Sequence, residues 1–355
     1  MKPKKNKDAS LRNRKIVAGL MIFFSFFLAT FSFYFYQVFK TPNLQTQKED
    51  RYLLIPTGAT YKTVIDSLKH NDMLHDEMSF SLLAKMMGYQ DQVLPGRYLI
   101  TKDMSNRAAL RILKGGLQTP VKLTFNNIRL KNELAEKVAR NLEMPTDSLL
   151  DLLNDPAITQ QYGFDTTTIM CMFLPNTYEV LWTIKPNKLM DKMSKEYKRF
   201  WNQERLKQAE RIGFTPVQVS ILASIVEAEQ MQHNDEKPRV AGLYMNRLKT
   251  NMPLQADPTL IFALQDFGIR RVLKVHREVN SPYNTYVRTG LTPGPINLTS
   301  LASLDAVLHY EKHNYTYMCA KEDFSGYHNF TNDFNQHLKN AQLFQAALNK
   351  LSILK

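Results

Sequence analysis

The sequence predicts an α+β fold with a single N-terminal transmembrane helix, a small α/β module and a larger C-terminal α+β domain. Residues 16–39 contain no charged side chain. Residues 52–113 follow the pattern of a strand, two helices, a strand and a helix. Residues 215–229 have the pattern of an apolar helix, and polar loops rich in Pro and Gly follow it. At 355 residues, the chain is long enough for two or three domains.

The uncharged run at 16–39 predicts a helix that spans a membrane. As a helix its 24 residues would extend about 36 Å, enough to cross the hydrocarbon core with some tilt. A cleaved signal peptide has a shorter apolar core, and a buried core helix does not explain the polar tail before it. Residues 1–15 carry seven Lys/Arg and one Asp. We therefore expect a cytoplasmic tail, one crossing of the cell (inner) membrane, and an extracytoplasmic remainder.

The rest of the positive charge is spread along the chain. Subtracting the +6 of residues 1–15 from the total of +13 leaves +7, without a basic patch or an aromatic–basic motif. This distribution argues against a nucleic-acid partner and suits an acidic polymer outside the cytoplasm. Cys171 and Cys319 have no CxxC or metal-site spacing. We expect them to be buried apolar residues rather than a disulfide.

The exported part divides into a linker and three regions. Residues 40–51 are polar and predict a linker. The three regions are a small module at 52–117, an intermediate subdomain with connecting helices at 118–212, and a C-terminal domain at 213–355. The predicted strands lie at 52–55, 97–100 and 121–125. The predicted helices lie at 61–69, 76–87, 105–113, 130–142, 187–212, 215–229 and 239–248, with another short helix from 145.

The helix predicted at 215–229 carries the clearest functional signal. Thr215 suits the N-cap and Gln218 completes a capping box. Glu229 lies on the apolar stripe of this helix, whereas Glu227 is offset by roughly 200° and points elsewhere. A carboxyl on an apolar face is desolvated when it is charged, so the pKa of Glu229 should be raised. A general acid near neutral pH needs such a pKa.

Polar loops bracketed by Pro and Gly follow this helix at 254–259, 281–286, 290–296 and 326–330. Loops of this kind often carry binding groups on a rigid scaffold. Amide, hydroxyl and aromatic side chains together suit a sugar, because amides bond hydroxyls and rings cover the apolar sugar face. Each loop taken alone also fits an ordinary turn, and His328 fits a structural histidine as well as a catalytic one. The sequence contains no metal-site spacing and no cofactor motif, so we expect neither a metal nor a cofactor.

Five motifs in order resemble the endolytic murein transglycosylases of the YceG-like family. They are ASIVEAE at 223–229, NRL at 246–248, LQADPT at 254–259, YNTY at 283–286 and GLTPGPI at 290–296. The N-terminal anchor and the module at 52–117, which is similar to a LysM fold, agree with the family layout. Two departures from the family pattern are Gln230, where a Ser or Thr follows the glutamate in other lytic transglycosylases, and Asn176, which replaces an Asp.

The resemblance implies a role for each matching residue. Glu229 would be the catalytic acid and base, and Glu227 matches a second family glutamate that would orient the site. The residues implied to line the glycan-binding cleft are Gln255, Asp257, Tyr283, Asn284 and Tyr286. His328 is a further candidate for substrate contact.

The implied reaction cleaves the β-1,4 bond between N-acetylmuramic acid and N-acetylglucosamine and leaves 1,6-anhydro ends. One carboxyl can suffice because no water enters the product, whereas a hydrolase needs two carboxylates. A hydrolytic muramidase, using Glu227 or Asp257 as the second carboxylate, remains an alternative. A noncatalytic peptidoglycan-binding scaffold of the wall-synthesis machinery is another. The expected partners are peptidoglycan strands, the membrane and, by resemblance, peptidoglycan synthases.

Overall fold

The computed structural model of the protein describes residues 5–44 and 49–350. Within them the chain is a mixed α+β protein whose strands form four two-stranded sheets. The chain divides into two units. The first runs to Val121 and includes Leu181–Thr183, and the second comprises Lys122–Val180 and the chain from Ile184 onward. Parts of the predicted tail and linker, at 1–4 and 45–48, and residues 351–355 lie outside the described residues.

The first helix, α1, runs Lys5–Lys40 and contains the predicted span 16–39. Its segment Leu11–Lys40 is long and apolar enough to cross a membrane, and no other helix in the described residues is. Side chains from 11 to 37 are exposed although most are apolar. An apolar helix exposed on all sides suits a lipid environment rather than water.

The first unit contains the small module, whose predicted order of strand, helix, helix and strand is confirmed. Strand β2 pairs antiparallel with β3 in a continuous register from Arg51 opposite Ile100 to Ile55 opposite Gly96. Alternate residues of these strands face the helices, as a sheet with one buried side requires. The elements are β1 (Pro42–Leu44), β2 (Arg51–Ile55), α2 (Tyr61–His70), α3 (Glu77–Met86), β3 (Gly96–Ile100), β4 (Met104–Ser105) and α4 (Asn106–Lys114).

The described part of the predicted linker is folded onto this module. Strand β1 pairs antiparallel with β4, and Leu44 is fully buried. The buried Asn106 accepts a hydrogen bond from Asn43 at 2.6 Å and donates one to the carbonyl of Val38 at 3.1 Å. These bonds satisfy polar groups that burial would otherwise leave unpaired. They also hold the end of α1 against the module. The polar composition of residues 40–51 did not predict this contact.

The second unit is built around helix α10, which ends at Glu229. Its residues from Val219 to Val226 are all buried, so it is a central core helix rather than an amphipathic one. Helices α11 and α13 pack against it. The elements are β5 (Val121–Thr124), α5 (Lys131–Ala139), α6 (Thr146–Asn154), α7 (Pro156–Gln161), β6 (Thr177–Val180), α8 (Pro186–Phe200), α9 (Gln203–Arg211), α10 (Pro216–Glu229), α11 (Lys237–Lys249), α12 (Asp257–Leu264), α13 (Leu301–Leu308), β7 (Tyr317–Ala320), β8 (His328–Thr331) and α14 (Phe334–Lys350).

Two sequence-based expectations for this unit are wrong. The single helix predicted at 187–212 is two helices, because Asn202 leaves the helical conformation and caps α9 by accepting a hydrogen bond from the Arg205 amide at 3.0 Å. The loop predicted at 326–330 contains strand β8, which pairs antiparallel with β7. Hydrophobic periodicity reveals neither feature, because the Asn202 cap is a local polar contact and a four-residue strand is too short to show a period.

Candidate active site

A cavity of about 590 Å³ opens at the C-terminal end of α10, beside Glu229. Side chains of α11, the start of α12, the 281–286 loop, strands β7 and β8, and α14 form its walls. Five of the eight sequence-predicted site residues line this cavity. Those that line it are Glu229, Gln255, Asp257, Tyr286 and His328.

Glu229 is the last residue of α10, and its position follows from how that helix is built. The predicted capping box between Thr215 and Gln218 is present, which fixes the start of the helix. The buried hydroxyl of Ser224 accepts a hydrogen bond from the Ile296 amide at 3.0 Å. Through this bond the GLTPGPI loop is held against the middle of α10. Glu229 is therefore placed by a helix whose start is capped and whose middle is buried.

The electrostatic environment of Glu229 favours its protonated form. Burial raises the pKa of its carboxyl to about 7, and the negative charge of Asp257 acts in the same direction. The hydroxyl of Tyr244 donates a hydrogen bond to Glu229 Oε1 at 2.9 Å, which lowers the pKa in part. The predicted rise in the pKa is confirmed, and the carboxyl can exchange a proton near neutral pH.

Arg247 is a buried cation that shapes the floor of the cavity. Its guanidinium donates hydrogen bonds to the carbonyls of Leu254 at 2.7 Å and Thr316 at 2.6 Å. These bonds fix the backbone that leads to Gln255, which is exposed and has a φ of 50°. A left-handed conformation is uncommon for a residue other than glycine and often marks a functional loop. The side chain of Gln255 thus faces the cavity from a constrained turn.

Asp257 and Tyr286 form a hydrogen-bonded pair in the cavity wall. The tyrosine hydroxyl donates to Asp257 Oδ1, and burial together with this carboxylate raises the pKa of Tyr286. Asp257 begins helix α12 rather than an isolated turn. The guanidinium of Arg277 lies 4.8 Å from the centre of the Tyr286 ring. This pair presents a carboxylate, a phenol and an aromatic face to the same space as Glu229.

Two predicted cleft residues lie outside this cavity. Asn284 is fully buried, and its amide donates to the carbonyls of Arg277 and Val279 while its oxygen accepts from the Tyr286 amide. It therefore holds the loop that carries Tyr286 and is not available to a ligand. Tyr283 packs against Phe262, with ring centroids 4.8 Å apart, and lines a neighbouring cavity.

Glu227 also faces away from the Glu229 cavity, as its helical offset predicted. Its carboxylate accepts hydrogen bonds from Ser300 and Ser303 and lies 3.2 Å from Lys237 Nζ. Burial raises its pKa, but the hydroxyl bonds and the lysine charge outweigh burial, so the pKa of Glu227 is lowered. A carboxylate held in this way stays ionised and joins α10, α11 and α13 together. This placement argues against direct catalysis by Glu227.

His328 is oriented by a buried carboxylate. Its Nδ1 lies 2.8 Å from Glu236 Oε2, and its backbone amide donates to Glu236 Oε1 at 2.9 Å. The amide of Gln230 donates to the same carboxylate and to the carbonyl of Gly326 at 2.9 Å. Burial raises the pKa of Glu236, but the bonds from His328 outweigh burial and lower it. Gln230, which departs from the family pattern, directly follows Glu229. Its side chain thus connects the end of α10 to the segment that carries His328.

Sequence reasoning missed Tyr244, Arg247, Glu236 and the whole of α14. Tyr244 and Arg247 lie on the helix predicted at 239–248, for which the apolar pattern indicated no function. Their spacing of three residues places both on the face of α11 that lines the cavity. The NRL motif was the sequence signal that could have identified Arg247 as a site residue. His337, Ala341 and Phe344 of α14 line the cavity opposite Glu229. Cys171 and Cys319 are unpaired, as expected, but only Cys171 is buried, and burial raises its pKa to about 12.

Comparison with known proteins places this chain in a family. Residues 53–343 match the model of the YceG-like family. An endolytic murein transglycosylase of Bacillus subtilis is 27% identical over 318 residues, covering 83% of this chain and 85% of the relative. An endolytic murein transglycosylase of Streptococcus pneumoniae is 24% identical over 300 residues, which are 75% of this chain but 53% of that relative. The chain thus spans about half the length of the pneumococcal protein.

A solved structure agrees with the fold. A YceG-like protein of Listeria monocytogenes superposes with a TM-score of 0.56 at 23% identity, covering 82% of this chain and 99% of that one. At this identity the likeness concerns the fold alone. The family model, by contrast, matches the chain from the first strand of the module to the C-terminal helix. The chain therefore belongs to the YceG-like family.

Proposed function

We propose that this protein is a membrane-anchored endolytic peptidoglycan transglycosylase. It cleaves the β-1,4 bond between N-acetylmuramic acid and N-acetylglucosamine, leaves 1,6-anhydro ends, and terminates nascent glycan strands. The observation that carries the proposal is Glu229, whose pKa of about 7 is set in a cavity with amide, phenol and imidazole side chains. The relatives from Bacillus subtilis and Streptococcus pneumoniae are named endolytic murein transglycosylases, which supports a transglycosylase that acts on murein.

In this mechanism Glu229 acts twice. Its protonated carboxyl donates a proton to the glycosidic oxygen as the bond to the anomeric carbon breaks. The resulting carboxylate then accepts the proton of the muramic 6-hydroxyl as that oxygen attacks the anomeric carbon. The 1,6-anhydro ring closes, Glu229 regains its proton, and no water is consumed. The hydrogen bond from Tyr244 at 2.9 Å fixes the direction of the carboxyl during both transfers.

The position of Asp257 favours a second candidate function, that of a hydrolytic muramidase. Asp257 lines the same cavity as Glu229 and is a carboxylate, and hydrolases use two such groups. However, the Tyr286 hydroxyl is bonded to Asp257, which suits a structural and electrostatic role better than activation of water. The transglycosylase is therefore the preferred function.

The proposed location follows from α1. The basic tail remains in the cytoplasm and the helix crosses the inner membrane, so both folded units act outside the cytoplasm. The module at 52–117, which the sequence likened to LysM, is proposed to bind glycan. Peptidoglycan synthases are the proposed neighbours, since they supply nascent strands.

Mass spectrometry of glycan strands digested with the full-length protein in detergent tests this function. We expect new fragments that end in 1,6-anhydro-N-acetylmuramic acid, released from within the strands. Reducing ends that carry oxygen from labelled water would instead identify a hydrolase. Binding of glycan without any new fragment would favour the scaffold function.

The pH dependence of kcat/KM should report the environment of Glu229. Because the reaction begins with a protonated carboxyl of pKa about 7, the rate should fall as the pH rises above that value. Removing the Tyr244 hydroxyl in Tyr244→Phe should move this fall to higher pH, since that hydroxyl stabilises the carboxylate. Asp257→Asn should move it to lower pH, since the charge of Asp257 destabilises the carboxylate. Shifts in the same direction for both variants would contradict this assignment.

A further inference from the structure

A second cavity, of about 440 Å³, has residues of α10 and α12 in its lining, and both helices also contribute to the Glu229 cavity. Ala228 and Met231, on either side of Glu229 in the sequence, line this second cavity. On α12, Pro258 lines it while the preceding Asp257 lines the first. A glycan strand with its scissile bond at Glu229 would therefore have neighbouring groups within reach of the second cavity.

Arg129 supplies the second cavity with an uncompensated positive charge. Its guanidinium stacks on Phe267, 4.5 Å from the ring centre, which orients the group. Among the described residues no carboxylate lies within ion-pair distance, 4 Å, of this guanidinium. A planar guanidinium without a partner favours two-point binding of a carboxylate.

Two carboxylates in this region, those of Glu133 and Glu227, are already engaged. Glu133 accepts hydrogen bonds from the backbone amides of Arg129, at 2.7 Å, and Leu130, at 3.1 Å, and so caps helix α5. Glu227 also lines the second cavity, but its charge is balanced by Lys237. The charge left to attract a ligand in this cavity is therefore that of Arg129.

The remaining lining suits a short peptide. Asn126, Asn127 and Asn297 offer amides, which pair with peptide groups. Ile261, Phe262, Ile296 and Leu298 offer apolar surface for small side chains. Asn297 Nδ2 donates to the Ser224 carbonyl at 3.1 Å, while its buried oxygen has no hydrogen-bond partner among the described residues. An unpaired buried acceptor is available for a ligand donor.

We propose that this second cavity binds a peptide stem of the peptidoglycan, with a stem carboxylate on Arg129. The inference rests on the proposed function. Along the glycan the sugars are neutral, because the muramic carboxyl is consumed in the amide bond to the stem. The carboxylates of the polymer therefore belong to its peptides, and Arg129 selects strands that still carry them.

Binding rather than cleavage tests this inference. Two kinds of fluorescently labelled glycan strand are titrated into the full-length Glu229→Gln protein in detergent: strands with intact stems, and the same strands stripped by an amidase, with the muramic carboxyls that stripping frees converted to neutral amides. Adding Arg129→Gln should weaken binding of the stem-bearing strands by about tenfold, the loss typical of one charge-assisted hydrogen bond. The affinity for stripped strands should not change. Arg129→Lys should recover part of the loss, and the exposed Arg211→Gln serves as the matched control.

Equal weakening for both kinds of strand would mean that Arg129 contacts the sugars or stabilises the fold, and it would overturn the inference. An unchanged affinity in Arg129→Gln, or equal affinity of the parent protein for the two kinds of strand, would also overturn it. Failure of the proposed function is seen separately, as the absence of anhydro ends with the wild-type protein. A stem-selective loss of binding in Arg129→Gln supports the inference whatever the cleavage assay gives.

Discussion

Replacing Glu229 by Gln should lower the release of anhydro-ended fragments by at least about 100-fold, since positioned proton transfer contributes roughly 10²–10⁴-fold. The amide cannot give a proton to the leaving oxygen or take one from the muramic 6-hydroxyl. It keeps the size of the carboxyl and can still accept the hydrogen bond from Tyr244. Quantitative mass spectrometry of fragments released by equal amounts of the two proteins measures the loss.

The melting temperature of Glu229→Gln shows whether this variant is folded. Because the pKa of Glu229 is raised, this group stabilises the fold most when protonated, and that contribution is lost as the pH rises towards about 7. At pH 8 the wild-type protein holds a desolvated charge that Glu229→Gln lacks. The variant should therefore melt at the same temperature as the wild type or higher. Near-normal cleavage by a folded Glu229→Gln protein would contradict the assignment of the acid.

The sequence predicted the position of Glu229 and the rise of its pKa because local rules were sufficient. A capping box, a proline at the first turn and an apolar pattern define α10 within fifteen residues, and the position of Glu229 on it follows from helical geometry. The partners of Glu229 are different in kind. Tyr244 is fifteen residues away and His328 is brought in by strand pairing, so only the tertiary fold brings them to the cavity.

The predicted ligand contacts divide for the same reason. Residue types suited to sugar binding occur at both Tyr286 and Asn284, but burial separates them. Tyr286 faces the cavity, whereas Asn284 uses its amide to bond the backbone of its own loop. Composition indicates which side chains can bind a ligand, and packing decides which of them the fold leaves available. The C-terminal wall of the cavity, helix α14, lacked any functional motif and was therefore not anticipated.

Replacing Lys237 by Met should destabilise the protein by about 2–4 kcal/mol. Lys237 is 2% exposed and lies 3.2 Å from Glu227, whose side chain is 24% exposed. Breaking a fully buried ion pair by removing one partner typically costs about 3–5 kcal/mol, and the partial exposure of Glu227 reduces that cost. Thermal and urea unfolding of the full-length protein at pH 7 measure the change, with the exposed Lys207→Met as the control, expected within about 0.5 kcal/mol.

A second substitution separates lost charge pairing from lost packing. Glu227→Gln added to Lys237→Met removes the unpaired charge but keeps an oxygen that accepts from Ser300 and Ser303, so it should restore about 1 kcal/mol or more. The pH dependence gives an independent check. The pKa of Glu227 is lowered in the fold, so its stabilising effect is present above its unfolded pKa and lost as the pH falls through its folded pKa. Without Lys237 that carboxylate protonates more readily, and the deficit of Lys237→Met should shrink towards pH 4. A deficit that is independent of pH and not reduced by Glu227→Gln would assign the loss to packing around the lysine stem instead.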